Sequence, residues 1–313
     1  MSWAIAAGAG SLVVLALNEK KRLHGAVTRV HTEELSAALR FAVLALVVLP
    51  LLPEGPYLGW AAIRPRALWF IVLVFCAINF AGFLARRTAS QGRGYLLTGL
   101  LGGVISSTAV TLGFARFSRK DPDSSAALAF GVIGACTVLV PRVLIISGVL
   151  NQEVAAHLVP FILPAGVLGT AIIAVAWKYG SRWATPQVAA PDWMTGGDKS
   201  PLRLWVAIRL AIVFQLAIMA ITLARNTWAM QGIYGSAVVL GLTDVDALTV
   251  SMSTPSTAIP PSIAARAIAV GILANTVVKL TIAVGAGSGK FRRVSALGLL
   301  GMVALAAAML VIL

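Results

Sequence analysis

Two aspartates two residues apart, Asp244 and Asp246 in "GLTDVDALT" (Gly241 to Thr249), lie inside an apolar run of a chain with only 11 acidic residues in 313. An Asp within a membrane costs about 2.5–3.5 kcal/mol on insertion scales, so a pair of them requires a partner, an ion or an aqueous cavity. Carboxylates with hydroxyls beside them suit hard cations. In a continuous helix residues i and i+2 point about 200° apart, so both carboxylates serve one site only where the chain is locally unwound.

A second stretch carries the same signal. "LARRTASQGRGYLLTGLLGGVISSTAVT" (Leu84 to Thr111) aligns with "LARNTWAMQGIYGSAVVLGLTDVDALT" (Leu223 to Thr249) with two one-residue gaps, which sets Ser106 and Thr108 against Asp244 and Asp246. The match runs on at a constant offset, pairing Gly134, Arg142 and Gly148 with Gly271, Lys279 and Gly285. "SST" and "TDVD" are rich in the residue types that start helices, because their side chains accept the amide protons a first turn leaves unpaired. Two helix starts halfway across a membrane predict discontinuous helices whose new N-termini meet near the midplane.

The candidate ion-binding residues are therefore Asp244, Asp246, Thr243 and Thr249 with Ser106, Ser107, Thr108 and Thr111, and Asp244 and Asp246 would be the ligands of any metal. Arg142, Lys279, Arg209 and Asn275 are the candidate charge partners. Simple ion pairing between these groups is the structural alternative to a transport site.

The elements that must position these residues are all helical. Apolar residues make up 59% of the chain and charged residues 12%, with a mean hydropathy of +0.91, which fits a polytopic membrane protein. No dyad alternation of barrel strands is present. Runs long enough for a bilayer of about 30 Å predict ten spans: 3–17, 34–52, 67–85, 94–117, 124–149, 157–177, 203–224, 232–253, 262–284 and 294–313. "HTEEL" starts the second, with Thr32 as N-cap and Glu33 and Glu34 in the first turn. The domain reading is two N-terminal helices (1–66), a four-helix repeat (67–177), a polar linker (178–202) and a second four-helix repeat (203–313). Four spans separate the repeat starts, an even number, so the repeats are expected to run parallel about an axis along the membrane normal.

The net charge of +14 is spread over short connections and reads as contact with lipid headgroups, not nucleic acid. Loop Lys and Arg divide almost evenly between the two sides, with a lean toward both termini outside. Cys76 and Cys136 fall in apolar runs and read as small buried hydrophobes; with His24, His31 and His157 in or beside loops, no zinc site is expected. "GAGSGKF" (Gly285 to Phe291) has the wrong spacing for a phosphate loop.

"HTEELSAALRFAVLALVVLPLLP", "GYLLTGLLGGVISSTAVT" and "GLTDVDALTVSMS" resemble the C-terminal membrane domain of unknown function found in MgtC/SapB-type proteins, a family named for magnesium transport. The resemblance spans nearly the whole chain. It implies a bacterial-type inner-membrane protein, and it places the MgtC-type domain of longer relatives ahead of what is Met1 here.

The resulting expectation is a secondary transporter or channel for a cation, divalent by the family's name, with no cofactor beyond a bound metal ion. A proton-coupled anion carrier using Arg142 and Lys279 is the alternative, and a regulatory protein without flux the third reading. An enzyme is not expected, since the two Asp lie on one segment and no His falls within a span. Expected partners are membrane lipids and a small ion, with a homo-oligomer left open.

Overall fold

The computed structural model describes residues 32–54, 64–88, 94–179, 204–254 and 259–313. The expected first span (3–17), His24, His31 and most of the 178–202 linker lie outside them. Among the described residues there is no strand. The order is α1 (Thr32–Val43, prolonged by a π-helical stretch Leu44–Val48 and a turn Leu49–Leu51), α2 (Pro65–Thr88), α3 (Gly94–Lys120), α4 (Ser125–Leu150), α5 (Gln152–Tyr179), α6 (Leu204–Thr243), α7 (Val245–Ser253), α8 (Pro261–Ala286) and α9 (Gly289–Ile312). The α1 end is tied to α2 by the Trp69 indole, which donates to the Leu44 carbonyl at 3.1 Å.

By length and composition, α3, α4, α5, α8 and α9 are each apolar enough to cross a membrane. The chain is a multi-pass membrane protein. One of the five nevertheless folds back. A straight helix would hold Tyr95 and Phe117 about 33 Å apart, yet their ring centroids are 5.8 Å apart, and Tyr95 also meets Phe114 edge-on at 6.0 Å. The reversal is at Ser106, whose dihedrals (φ −159, ψ 102) are extended inside an otherwise helical run. Helix α3 is thus a hairpin: residues 94–105 enter, 107–120 return. The entering arm runs alongside α4 in the same direction, because a Cβ on Gly99 would strike the backbone of Gly131 and one on Gly103 the backbone of Ala135. Only glycine at these places lets the two backbones approach so closely.

A second hairpin follows the same plan. Helix α6 has 40 residues, about 60 Å if straight, but a Cβ on Gly232 would collide with the Ala224 carbonyl, so the chain turns back between those residues. It reverses again at Asp244 (φ −152, ψ 101), the N-cap of α7. A Cβ on Gly271 of α8 would meet both the Ala237 carbonyl and the Leu248 side chain, which a straight helix would keep about 16 Å apart. Residues 232–243 enter, and α7 returns.

Both hairpins correct the sequence reading. The breaks stand where they were expected, but the chain folds back at each, so neither 94–117 nor 232–253 is one straight helix. The parallel arrangement is also overturned. Ser125 at the start of α4 hydrogen-bonds Ser288 just past the end of α8 (2.7 Å), the Ser288 amide donates to Ser118 (2.9 Å), and Arg119 donates to the Gly285 carbonyl (2.7 Å). Near the other end, Arg266 donates to the Leu313 carbonyl and stacks over Phe161. Helices α4 and α8 therefore run in opposite directions, and the hairpins beside them enter from opposite faces. The parity argument took each of these segments as one straight helix, and each folds back on itself.

Candidate functional site

The two hairpin tips carry matching chemistry. At the first, the Ser106 hydroxyl accepts from the Ala109 amide (3.2 Å). At the second, Asp244 Oδ1 accepts from the amides of Asp246 (2.9 Å) and Ala247 (3.2 Å). These are N-caps, satisfying donors that the first turn of each return arm leaves without an intrahelical partner. One turn on, the Thr111 hydroxyl donates to the Ser107 carbonyl and the Thr249 hydroxyl to the Val245 carbonyl, both at 2.8 Å. Thr243 is exposed and donates back to Val239 and Leu240. Ser107 is buried, Thr108 half-buried.

A reversal also strips partners from the carbonyls that end the entering arm. The protein supplies them from the next helix. Arg142 of α4, only 7% exposed, donates to the carbonyls of Val104 (2.8 Å) and Ile105 (3.1 Å), and its guanidinium also ion-pairs with Asp246 Oδ2. One side chain thus caps the first hairpin and clamps it to the second. Asn275 of α8 does the capping at the second tip, donating to the Gly241 carbonyl at 2.9 Å. Lys279 lies one turn beyond Asn275 on the same face of α8. It is 0% exposed, its Nζ has no hydrogen-bond partner among the described residues, and it lies within electrostatic reach of Asp246, Arg142 and Cys136.

The structure therefore gathers Asp244, Asp246, Arg142, Asn275 and Lys279 around the tips. Arg209 is exposed and does not join them. The two carboxylates do not converge: Asp244 turns onto its own helix and Asp246 onto Arg142. Among the described residues no group of three or more His, Cys, Asp or Glu could hold a metal ion. Sequence reasoning missed the carbonyls of Val104, Ile105 and Gly241. Their signal was present, since a break must orphan carbonyls as well as amides. It also missed Cys136 beside Lys279, which is legible only once α4 and α8 are packed.

Around the tips the packing is reciprocal. The first hairpin packs on α4 and on α8, and the second on α8 and on α4; likewise α9 packs on α4 where α5 packs on α8. An apolar cavity opens where these four helices meet, lined by Cys136, Val140, Ala165, Leu273, Met302 and Ala306 among others.

Comparison with known proteins gives a family without an assigned activity. A protein from Aquifex aeolicus (strain VF5), described as uncharacterized, is 26% identical over 208 residues, 64% of this chain and 86% of the relative. No solved structure matches. The model of a domain of unknown function matches residues 72–287, a stretch that runs from α2 to the end of α8 and takes in both hairpins, and the chain belongs to that family, DUF4010.

Proposed function

We propose that this protein is a secondary transporter for a small ion, built as an inverted repeat. Each unit would hold one lead-in helix, one re-entrant hairpin and two spanning helices: α2 to α5 in the first, and α6 to α9, with the second hairpin, in the other. Three crossings per unit, an odd number, place the units upside down relative to each other. On this reading fewer than ten segments cross the membrane, because two of the ten are hairpins.

The observation that carries the reading is the meeting of the two tips: Arg142 holds the carbonyls of Val104 and Ile105 in one hairpin and Asp246 in the other. Irregular backbone at membrane depth is tolerated where it is buried in protein or lines a cavity, and inverted repeats with broken helices at the midplane are a recurring transporter plan. Two hairpins entering from opposite faces also give alternating access a simple form, in which either could open its own side while the other stays shut.

The cation reading draws on Asp244 and Asp246, whose oxygens are already engaged. Mg²⁺ demands near-octahedral oxygen ligands and dehydrates reluctantly; the MgtC/SapB resemblance is its main support. An inner-membrane location and a non-enzymatic role belong to the same proposal. The test is flux in proteoliposomes of purified protein against a panel of cations and anions. Uptake that saturates, and that Arg142→Met abolishes in a protein still folded, supports it. Absence of flux for every ion, in vesicles where the protein is folded, sinks it in favour of a regulatory membrane protein.

A further inference from the structure

We infer that one end of this protein is its cytoplasmic face and a docking surface for the anionic headgroups of that leaflet's phospholipids. It is the end where the return arm of the first hairpin, the start of α4 and the junction of α8 with α9 meet. Ser125 on Ser288 (2.7 Å), the Ser288 amide on Ser118 (2.9 Å) and Arg119 on the Gly285 carbonyl (2.7 Å) join them. Helix α5 comes back to the same end: a Cβ on Gly166 would meet Val140 and one on Gly169 would meet Thr137, which sets α5 antiparallel to α4.

The charges at the two ends differ. Here α3 closes with Arg116, Arg119 and Lys120, α9 opens with Lys290, Arg292 and Arg293, and α5 closes with Lys178; all seven are exposed. Arg86 and Arg87 join them by position, in the last turn of α2. The first turns of α2 belong to the opposite end, because Leu68 and Trp69 share a cluster with Ile146, near the close of α4, and Val250, near the close of α7. The acids beside the basic group are Asp121, whose carboxylate accepts from the Ser124 amide at 3.3 Å, and the exposed Asp123. The opposite end has Arg64 and Arg66 at the start of α2, Arg225 where α6 turns back, and Arg266. Of these, Arg66 is ion-paired with Glu54, and Arg266 donates to the Leu313 carbonyl and lies over Phe161. Glu153 adds an exposed acid there.

Lys and Arg near the ends of spanning segments set orientation by staying on the cytoplasmic side. The anionic lipids of that leaflet attract basic residues next to the membrane. In ten straight spans Arg116, Arg119, Lys120 and Lys178 would fall opposite Lys290, Arg292 and Arg293, and the count would be nearly even. The folding back of the hairpins brings them to one end. Helices α5 and α9, each apolar enough to cross a membrane, run from these cations into the bundle, which sets the cations at headgroup depth. The cations of the return arm and those of α9 stand on either side of the contact between Ser118 and Ser288, so headgroups docked there would hold the first hairpin against α9.

Sidedness and lipid are tested separately. Gly289→Cys and Glu153→Cys, each in a chain with Cys76→Ala and Cys136→Ala, are expressed in a bacterial host and exposed to an impermeant maleimide, in spheroplasts and in inside-out vesicles. A Cβ on Gly289 meets nothing within 4 Å and Glu153 is exposed, so both positions can react. Position 289 should label only in inside-out vesicles and position 153 only in spheroplasts; labelling of position 289 in spheroplasts overturns the orientation. For the lipid, purified wild type in dodecyl maltoside is mixed with phosphatidylglycerol, with phosphatidylcholine of the same chains or with glycerol 3-phosphate, and unfolding is followed by temperature. A ligand bound only by the folded state raises Tm. Phosphatidylglycerol should raise it saturably and beyond phosphatidylcholine. The triple variant Lys290→Gln, Arg292→Gln and Arg293→Gln should lose most of that excess, and Arg64→Gln, at the opposite end, should keep it. An equal rise with phosphatidylcholine or with glycerol 3-phosphate overturns the surface, as does an excess retained in the triple variant or lost equally in Arg64→Gln. Should the triple variant not fold, salt decides: about 1 M NaCl shortens the Debye length to about 3 Å, and an excess that survives it overturns the surface. Ion flux enters neither readout, so the docking surface and the transport reading fail separately.

Discussion

The first hairpin, Gly94–Lys120, and the second, residues 232–253, have the same backbone plan and opposite electrostatics. Each reverses at an extended residue, Ser106 or Asp244, with nearly equal dihedrals. Each has a buried threonine bonded back one turn, and each enters beside a helix whose backbone it approaches through glycine. The second brings two carboxylates to its tip, and the first brings hydroxyls only. Backbone geometry is thus alike where packing demands it, while the charged positions differ. That difference gives Arg142 the part of a clamp between the two tips, with Asp246 also within electrostatic reach of Lys279.

The comparison can be broken first at Arg142. Arg142→Met strands Asp246 in a low-dielectric setting and frees the carbonyls of Val104 and Ile105, a loss of about 3–5 kcal/mol for a broken buried pair. Thermal unfolding in detergent should show a large fall in Tm, partly restored in the double variant Arg142→Met with Asp246→Asn, because the stranded charge is gone. If the single variant unfolds like wild type, the clamp is not structural.

Next come the close approaches. Gly99→Ala and Gly241→Ala each drive a methyl into the backbone of Gly131 or Gly271 and should cost about 1–3 kcal/mol, as overpacking does. Gly235→Ala meets nothing within 4 Å and should be neutral or slightly stabilising through helix propensity. Gly103→Ala, at the position matching Gly241, drives its methyl into the backbone of Ala135, and equal losses there and at Gly241 would sharpen the equivalence of the hairpins. A tolerated Gly99→Ala would mean that the entering arm does not lie against α4.

Caps are smaller. Asp244→Ala removes the acceptor for two amides and Ser106→Ala the acceptor for one, so the first should cost about 1 kcal/mol and the second less. The reverse order in Tm would show that the carboxylate is under strain from its neighbours.

The gentlest test changes stability hardly at all. In sealed vesicles, with Cys76 and Cys136 replaced by Ala, single cysteines at Asp123 and Gly289 should react with an impermeant maleimide from one side, and a cysteine at Glu153 from the other. Labelling of the positions at Asp123 and Gly289 from opposite sides would restore parallel repeats.

The sequence by itself determined that this is a helical membrane protein and where its helices break. Runs of apolar residues leave few alternatives in a bilayer, where backbone groups must be satisfied within the segment. Ser106 and Asp244 were legible as caps because capping is local chemistry between a side chain and amides two or three residues on. So was the matching of Arg142 with Lys279, since basic residues in register stand out against apolar text. The direction in which the chain leaves each break was a matter for tertiary structure alone. An N-cap looks the same whether the helix it starts carries on or turns back, and only long-range contacts choose: Tyr95 against Phe117, Gly99 against Gly131, Gly271 against both arms of the second hairpin. The same contacts folded each hairpin back on itself, set α4 and α8 in opposite directions and placed Asp246 on Arg142.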